Sequence, residues 1–202
     1  MKKSIQIVII LLALTGLLIN VLVSTFEDPI NLGRGLGLFR YYTLQSNLIV
    51  MIYFVLLYLG KTKHVTLHKF IGGIVVYITI TLIIFAIMLA PTYHPTGWSQ
   101  VSNIVAHYIV PVLVIFYFFY VKEKYNFRPK DVLIWISYPV VYILFMIVYG
   151  TITNDYLYPF FQVSEVGVLG LIITIFGLVF VFLLLSFSVM KIVSLQEKQK
   201  TE

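Results

Sequence analysis

The last long apolar run of this chain, EVGVLGLIITIFGLVFVFLLLSFSVM at residues 165–190, holds one charged side chain, Glu165 at its first position. Such a run has no polar face to turn towards water. About 20 consecutive apolar residues in a helix cross the hydrocarbon core of a bilayer. Runs of similar character cover residues 5–25, 41–60, 69–90, 101–121 and 131–150. The connections between them are short, and no internal repeat is visible. The pattern predicts an all-α fold: a polytopic membrane helical bundle of six transmembrane helices, forming a single domain over residues 1–202.

Composition supports that class. Of 202 residues, 60% are hydrophobic and 11% charged, more apolar surface than a soluble core of this size can hide. The absence of cysteine excludes disulfides, thiolate nucleophiles, iron–sulfur clusters and cysteine zinc sites. The start, MKKSIQIVIILLALTG, resembles a signal peptide. Its apolar run continues to about Val23 with no small-residue cleavage site after it, so it reads as a retained first span.

A net charge of +6 suggests nucleic acid, but the cations lie in short segments between apolar runs, where they report topology. With the N-terminus cytoplasmic, the inner segments hold twelve: Lys2, Lys3, Lys61, Lys63, Lys69, Lys122, Lys124, Arg128, Lys130, Lys191, Lys198 and Lys200. The outer loops hold two, Arg34 and Arg40. That asymmetry places both termini in the cytoplasm. Tyr93 and Trp98 fall where an outer aromatic belt would lie, and Tyr117, Tyr120 and Trp135 where an inner one would. The tail QEKQKTE reads as a frayed, solvated end. The partner implied is the lipid bilayer, not nucleic acid; no protein partner is named by the sequence.

Polar side chains inside the spans are the next constraint. RYYTLQSNLIV opens the second span, with Thr43, Ser46 and Asn47 at i, i+3 and i+4 on one helical face. At a rise of roughly 1.5 Å per residue, that face lies within about 10 Å of the outer boundary. Gln45 points elsewhere. VSNIVAHYIVP opens the fourth span, with Asn103, His107 and Pro111 at i, i+4 and i+8. His107 falls at nearly the depth of Thr43. The first span runs the other way and brings Asn20 and Ser24 to the same layer. Intramembrane polar groups avoid lipid and face the interior or a wet cavity. They also serve as hydrogen-bond glue between helices, worth about 0.6–2 kcal/mol each. His107 stands apart because imidazole titrates near neutral pH and suits proton transfer.

These motifs carry a resemblance. Tyr42-Thr43 with Gln45-Ser46-Asn47 is similar to the F-T-x-Q-S-N signature of the bacterial Pr6Pr membrane proteins. Asn103-x-x-x-His107-x-x-x-Pro111 resembles the N-x3-H-x3-P motif of the related androgen-induced family of integral-membrane threonine hydrolases. Tyr158-Pro159-Phe160 matches a Y-P-F element before the last helix. The resemblance runs from about residue 5 to residue 190. It implies hydrolysis of lipid esters of the fatty acid ester of hydroxy fatty acid type, in a bacterial plasma membrane. It implies Thr43 as nucleophile and His107 as base, with no cofactor and no metal. Beside that pair, Asn47 is a candidate oxyanion donor and Asn103 a candidate for orienting the imidazole. Ser46, Asn20 and Tyr149 are further candidates for lining the site. Tyr138, Tyr142 and Tyr149 form a stripe on the fifth span suited to packing.

Other signals carry less. NLGRGLG at 31–37 is no phosphate loop, since no strand precedes it, and reads as a flexible loop. His64 and His68 have i, i+4 metal spacing but lie in the basic segment KTKHVTLHK without a carboxylate. His94 belongs to an outer loop. Pro111 and Pro139 are expected to kink their helices. A small transporter or ligand-binding protein with a non-catalytic polar cavity is the alternative, although the repeat symmetry common in transporters is missing. A structural or sensory protein using the polar layer as glue is a third reading.

The cysteine-free sequence makes the topology directly testable. A membrane-impermeant maleimide is expected to label Thr92→Cys in intact cells, and Lys63→Cys only after the membrane is opened. The opposite pattern would invert the orientation.

Overall fold

A computed structural model describes residues 2–121 and 125–198. Lys122, Lys124 and Lys200 of the charge argument, and residues 199–202 of the tail, lie outside the described residues. All regular structure among the described residues is helical. The chain divides into two compact units, Met1–Lys124 and Tyr125–Glu202.

The first unit contains α1 (Lys2–Phe26), α2 (Leu32–Gly37) with a 3-10 turn at Leu38–Arg40, and α3 (Tyr42–Tyr58). It continues with α4 (Val65–Ile84), α5 (Gly97–Ile104) and α6 (Val110–Val121). Two stretches are π-helical: Phe85–Leu89 extends α4, and Val105–Ile109 joins α5 to α6. The second unit holds α7 (Pro129–Thr153), a 3-10 turn at Pro159–Phe161 and α8 (Val163–Lys198). Five helices, counting Val65–Leu89 and Gly97–Val121 each as one, are long and apolar enough to cross a membrane. A sixth crossing is completed if Leu32–Arg40 and Tyr42–Tyr58, which meet at 83°, act as one bent span. The molecule is an all-α integral membrane protein.

The 41–60 run is therefore shorter as a helix than the sequence suggests. Its 17 residues measure roughly 26 Å at the α-helical rise, less than a hydrocarbon core. The bend falls at Tyr41, whose ψ of 138° is extended. The NLGRGLG segment, expected to be a flexible loop, is instead the helix α2. Asn31 caps it, its side chain accepting from the Arg34 N–H at 3.2 Å. Arg34 also pairs with Glu27 at 3.1 Å and donates to the Pro29 carbonyl at 2.8 Å. Gly35 is what the segment needs: a Cβ there would collide with Thr25 and with the Val21 carbonyl of α1.

Within the first unit, α1 packs on α3 and α5, α3 on α4, and α4 on α6. Ile9, Val50, Phe54, Ile71, Ile74 and Val114 fill the core. Tyr117, expected in an inner aromatic belt, is fully buried there. The reason is a partner: Gln6 Nε2 donates to the Tyr117 hydroxyl at 2.6 Å, and Phe54 meets its ring edge-on at 5.0 Å. A buried phenol is stable only with its hydroxyl satisfied. Trp135, placed in the same belt by sequence, is 1% exposed and packs edge-on against Phe127 in the second unit. Tyr93, Trp98 and Tyr120 are exposed, as belt residues would be.

In the second unit, Tyr138, Tyr142, Phe145 and Tyr149 follow one another as neighbouring rings along α7. Asn154 ends that helix in the left-handed conformation. The expected last span begins at 165, whereas α8 starts at Val163 and breaks at Gly167, where φ is 69°. Only glycine adopts that conformation freely.

Gly35→Ala is expected to destabilise the protein by roughly 1–3 kcal/mol, the usual cost of overpacking. Gly37→Ala meets no atom within 4 Å and is expected to be near neutral. Unfolding of the two variants in mixed micelles checks the contrast.

Candidate active site

Thr43 is the second residue of α3 and is buried. His107 is the central residue of the π turn Val105–Ile109. The two meet: Thr43 Oγ1 and His107 Nε2 are 3.1 Å apart. His107 Nδ1 lies 3.0 Å from the Asn103 backbone carbonyl. A carbonyl only accepts. In the neutral imidazole the hydrogen therefore sits on Nδ1, and Nε2 presents its lone pair to the threonine hydroxyl. That is the arrangement a general base requires.

The local backbone explains why His107 points this way. Residue 111 is proline and brings no N–H. The Val110 N–H bonds to the Val105 carbonyl, five residues back, in place of Ala106 four back. The Ala106 carbonyl thus loses its α-helical donor to Val105, and its π-helical donor would be proline. Asn47 supplies the missing hydrogen from α3: its Nδ2 donates to Ala106 O at 3.1 Å. Buried backbone acceptors in a lipid-embedded protein must be satisfied internally, and this amide does so.

The same device occurs on α4. Ala90 N–H bonds to the Phe85 carbonyl at 2.8 Å, and residue 91 is proline. FAIMLAP and VAHYIVP share the register of alanine at the second place and proline at the seventh. The two wide turns bring Phe85 and His107 together as stacked rings, with centroids 3.8 Å apart and planes inclined by 25°. Tyr93 and Tyr108 meet Phe85 edge-on at 6.4 and 5.6 Å. Burial, and then the neighbouring Tyr41, hold the Tyr93 phenol above its usual range, so it remains a neutral hydroxyl.

The expected roles of other residues shift in the structure. Asn47, a candidate oxyanion donor, has both amide hydrogens committed, one to Ala106 O and one to Thr43 O at 2.8 Å. It braces the site without offering a free N–H. Asn103 meets the imidazole through its backbone carbonyl and not its side chain. Ser46 donates to Thr43 O at 3.1 Å and pairs with Thr81 Oγ1 of α4 at 2.9 Å, which ties α3 to α4. Asn20 donates to its own helix, at the Gly16 carbonyl, 2.9 Å away. Gln45 donates to Phe39 O at 2.9 Å, away from the pair. Tyr149 belongs to the second unit and donates to the Asp155 carboxylate at 3.2 Å.

Three participants escaped the sequence reading. Thr81 was legible as one of two mid-span threonines, with Thr79, and Gln6 as a lone amide near the start of α1. Phe85 carried no signal, since it is one of 16 phenylalanines and nothing apolar about it differs from its neighbours. Among the described residues no group of three His, Asp or Glu side chains is placed to hold a metal ion.

Fold and site together define an integral-membrane helical protein with a hydroxyl–imidazole pair inside its first unit. No family model, no curated protein and no solved structure matches the chain.

The exchange of backbone for side-chain donors at Ala106 makes a coupled prediction. Asn47→Leu is expected to cost about 1–3 kcal/mol by leaving a buried carbonyl unsatisfied. Pro111→Ala restores an N–H beside that carbonyl, so Asn47→Leu should cost less in its presence. A double-mutant cycle of unfolding in mixed micelles measures the coupling, and strict additivity would refute it.

Proposed function

We propose that the protein is an intramembrane lipid-ester hydrolase of the Pr6Pr type, seated in a bacterial plasma membrane with both termini cytoplasmic. Its substrates are esters of the fatty acid–hydroxy fatty acid kind. One observation carries the reading: the 3.1 Å approach of Thr43 Oγ1 to an imidazole whose other nitrogen is held by a carbonyl.

The chemistry is acyl transfer. Thr43 Oγ1 attacks the ester carbonyl carbon as His107 Nε2 takes the hydroxyl proton. The carbonyl π electrons move onto oxygen, giving a tetrahedral oxyanion. Its collapse expels the alcohol, which receives the proton from His107, and leaves the acyl group on Thr43. Water, giving a proton to His107, then adds to the acyl carbon; collapse breaks the bond to Thr43 Oγ1, which takes that proton back from His107, and releases the fatty acid. A hydroxyl is a poor nucleophile without such a base.

The Asn103 carbonyl takes the place a carboxylate has in a Ser-His-Asp triad. It fixes the tautomer but adds no full negative charge. Oxyanion stabilisation falls to the first turn of α3. Helix-initial N–H groups lack intrahelical partners, and Tyr41 supplies no side-chain cap there. The positive end of the helix dipole adds to the effect. A site one turn inside a span suits an ester whose acyl chains remain in hydrocarbon while its carbonyl reaches a polar layer.

Detergent-purified protein is expected to cleave a panel of hydroxy fatty acid esters and to react with a fluorophosphonate probe. Thr43→Ala and His107→Gln should each lower kcat/KM by about 10³-fold or more while leaving the fold intact. Saturable ester binding without turnover in the parent protein would instead favour the non-catalytic cavity.

A further inference from the structure

We propose that Phe85 is a positioning residue that sets the plane of the His107 imidazole, through a pair of proline-terminated wide turns built to bring the two rings face to face. The inference rests on the hydrolase reading for its kinetic consequence, and on geometry alone for its structural one.

The imidazole is tied to the chain at Cβ and swings about its Cβ–Cγ bond, a torsion with a broad energy profile. Here Nδ1 faces the Asn103 carbonyl and Nε2 faces Thr43 Oγ1. Swinging the ring carries both nitrogens out of line with those partners. A flat wall parallel to the ring narrows that swing. Phe85 is such a wall: it is 3% exposed, 3.8 Å from the imidazole centroid and nearly parallel to it. Tyr93 and Tyr108 stand edge-on to Phe85 and hold the wall itself.

The backbone around the wall matches that around the base. Phe85 begins its π turn and accepts from Ala90 N–H, five residues on, just before Pro91. His107 lies in a turn closed by the Val110 N–H on Val105 O, just before Pro111. A π turn displaces the residues after it by about 100° around the helix relative to a regular α-helix. An insertion of that kind in each helix, at the same distance from a proline, fixes the two rings against each other. Plain core packing needs a buried apolar side chain at this position but not a planar one. That difference is what an experiment can read.

Four histidines are present in the chain, so isotope-labelled histidine gives few signals, and His107→Gln identifies the one of interest. In the unaltered protein, the carbon-bound imidazole protons of His107 are expected upfield of those of the other histidines, through the Phe85 ring current. Its nitrogens should report the Nδ1–H tautomer. Phe85→Leu keeps apolar volume and removes the plane; the upfield displacement should vanish. With p-nitrophenyl palmitate in mixed micelles, kcat should fall roughly 10–100-fold, while KM stays within about twofold. Phe85→Tyr keeps the ring and should retain both the displacement and most of the rate.

Phe85→Leu at full kcat, or a His107 signal in the unaltered protein with no upfield displacement, overturns the proposal. The second measurement stands even if the leucine variant fails to fold. If the unaltered protein cleaves no ester, the hydrolase reading falls. The imidazole signals of the unaltered protein and of Phe85→Tyr then decide by themselves whether Phe85 sets the ring.

Discussion

Every backbone N–H and C=O inside a bilayer needs a partner from the protein itself, because hydrocarbon supplies none. Proline breaks that rule by bringing one donor too few. In this chain two helices meet the deficit in the same way, by widening the turn before the proline. Widening moves the shortage rather than curing it, and leaves the Ala106 carbonyl without a helical donor. Asn47 of α3 fills the gap, and doing so draws α3 against the turn that carries His107. The Thr43–His107 approach follows from that contact, since Thr43 is one turn before Asn47 on the same face.

The site is therefore held by groups that do no chemistry. Ser46 and Thr81 join α3 to α4. The Asn103 carbonyl fixes the tautomer, and Phe85 lies across the imidazole. Asn47 illustrates how a plausible catalytic role gives way to a structural one: an amide has two hydrogens, and both have backbone acceptors here. The bend at Tyr41 has a comparable consequence. It starts α3 afresh inside the apolar region, so that Thr43 occupies the first turn of a helix and not the middle of a longer one.

Much of the fold could be read along the chain. Apolar runs of span length announce helices irrespective of their neighbours, because a bilayer rewards each run separately. The spacing of Thr43, Ser46 and Asn47 put three side chains of the site on one face, and that of Asn103 and His107 put the imidazole one turn from the carbonyl it meets. Burial was less legible. Tyr117 and Trp135 have the composition of belt residues, yet both are interior, since an aromatic with a polar edge suits an interface or a core with a hydrogen-bond partner equally well. NLGRGLG has the composition of a loop, yet α1 requires a glycine at position 35 to pass it.

The sequence by itself determined the class of protein, its all-helical character and five of the six expected crossings. Those properties depend on period and length, which are local. Only the tertiary structure decided which atoms of the site meet. The bond from Asn47 to the Ala106 carbonyl and the stacking of Phe85 on His107 both involve wide turns. At Val105–Ile109 the stranded carbonyl is satisfied from a second helix, a contact that no local stretch of sequence contains.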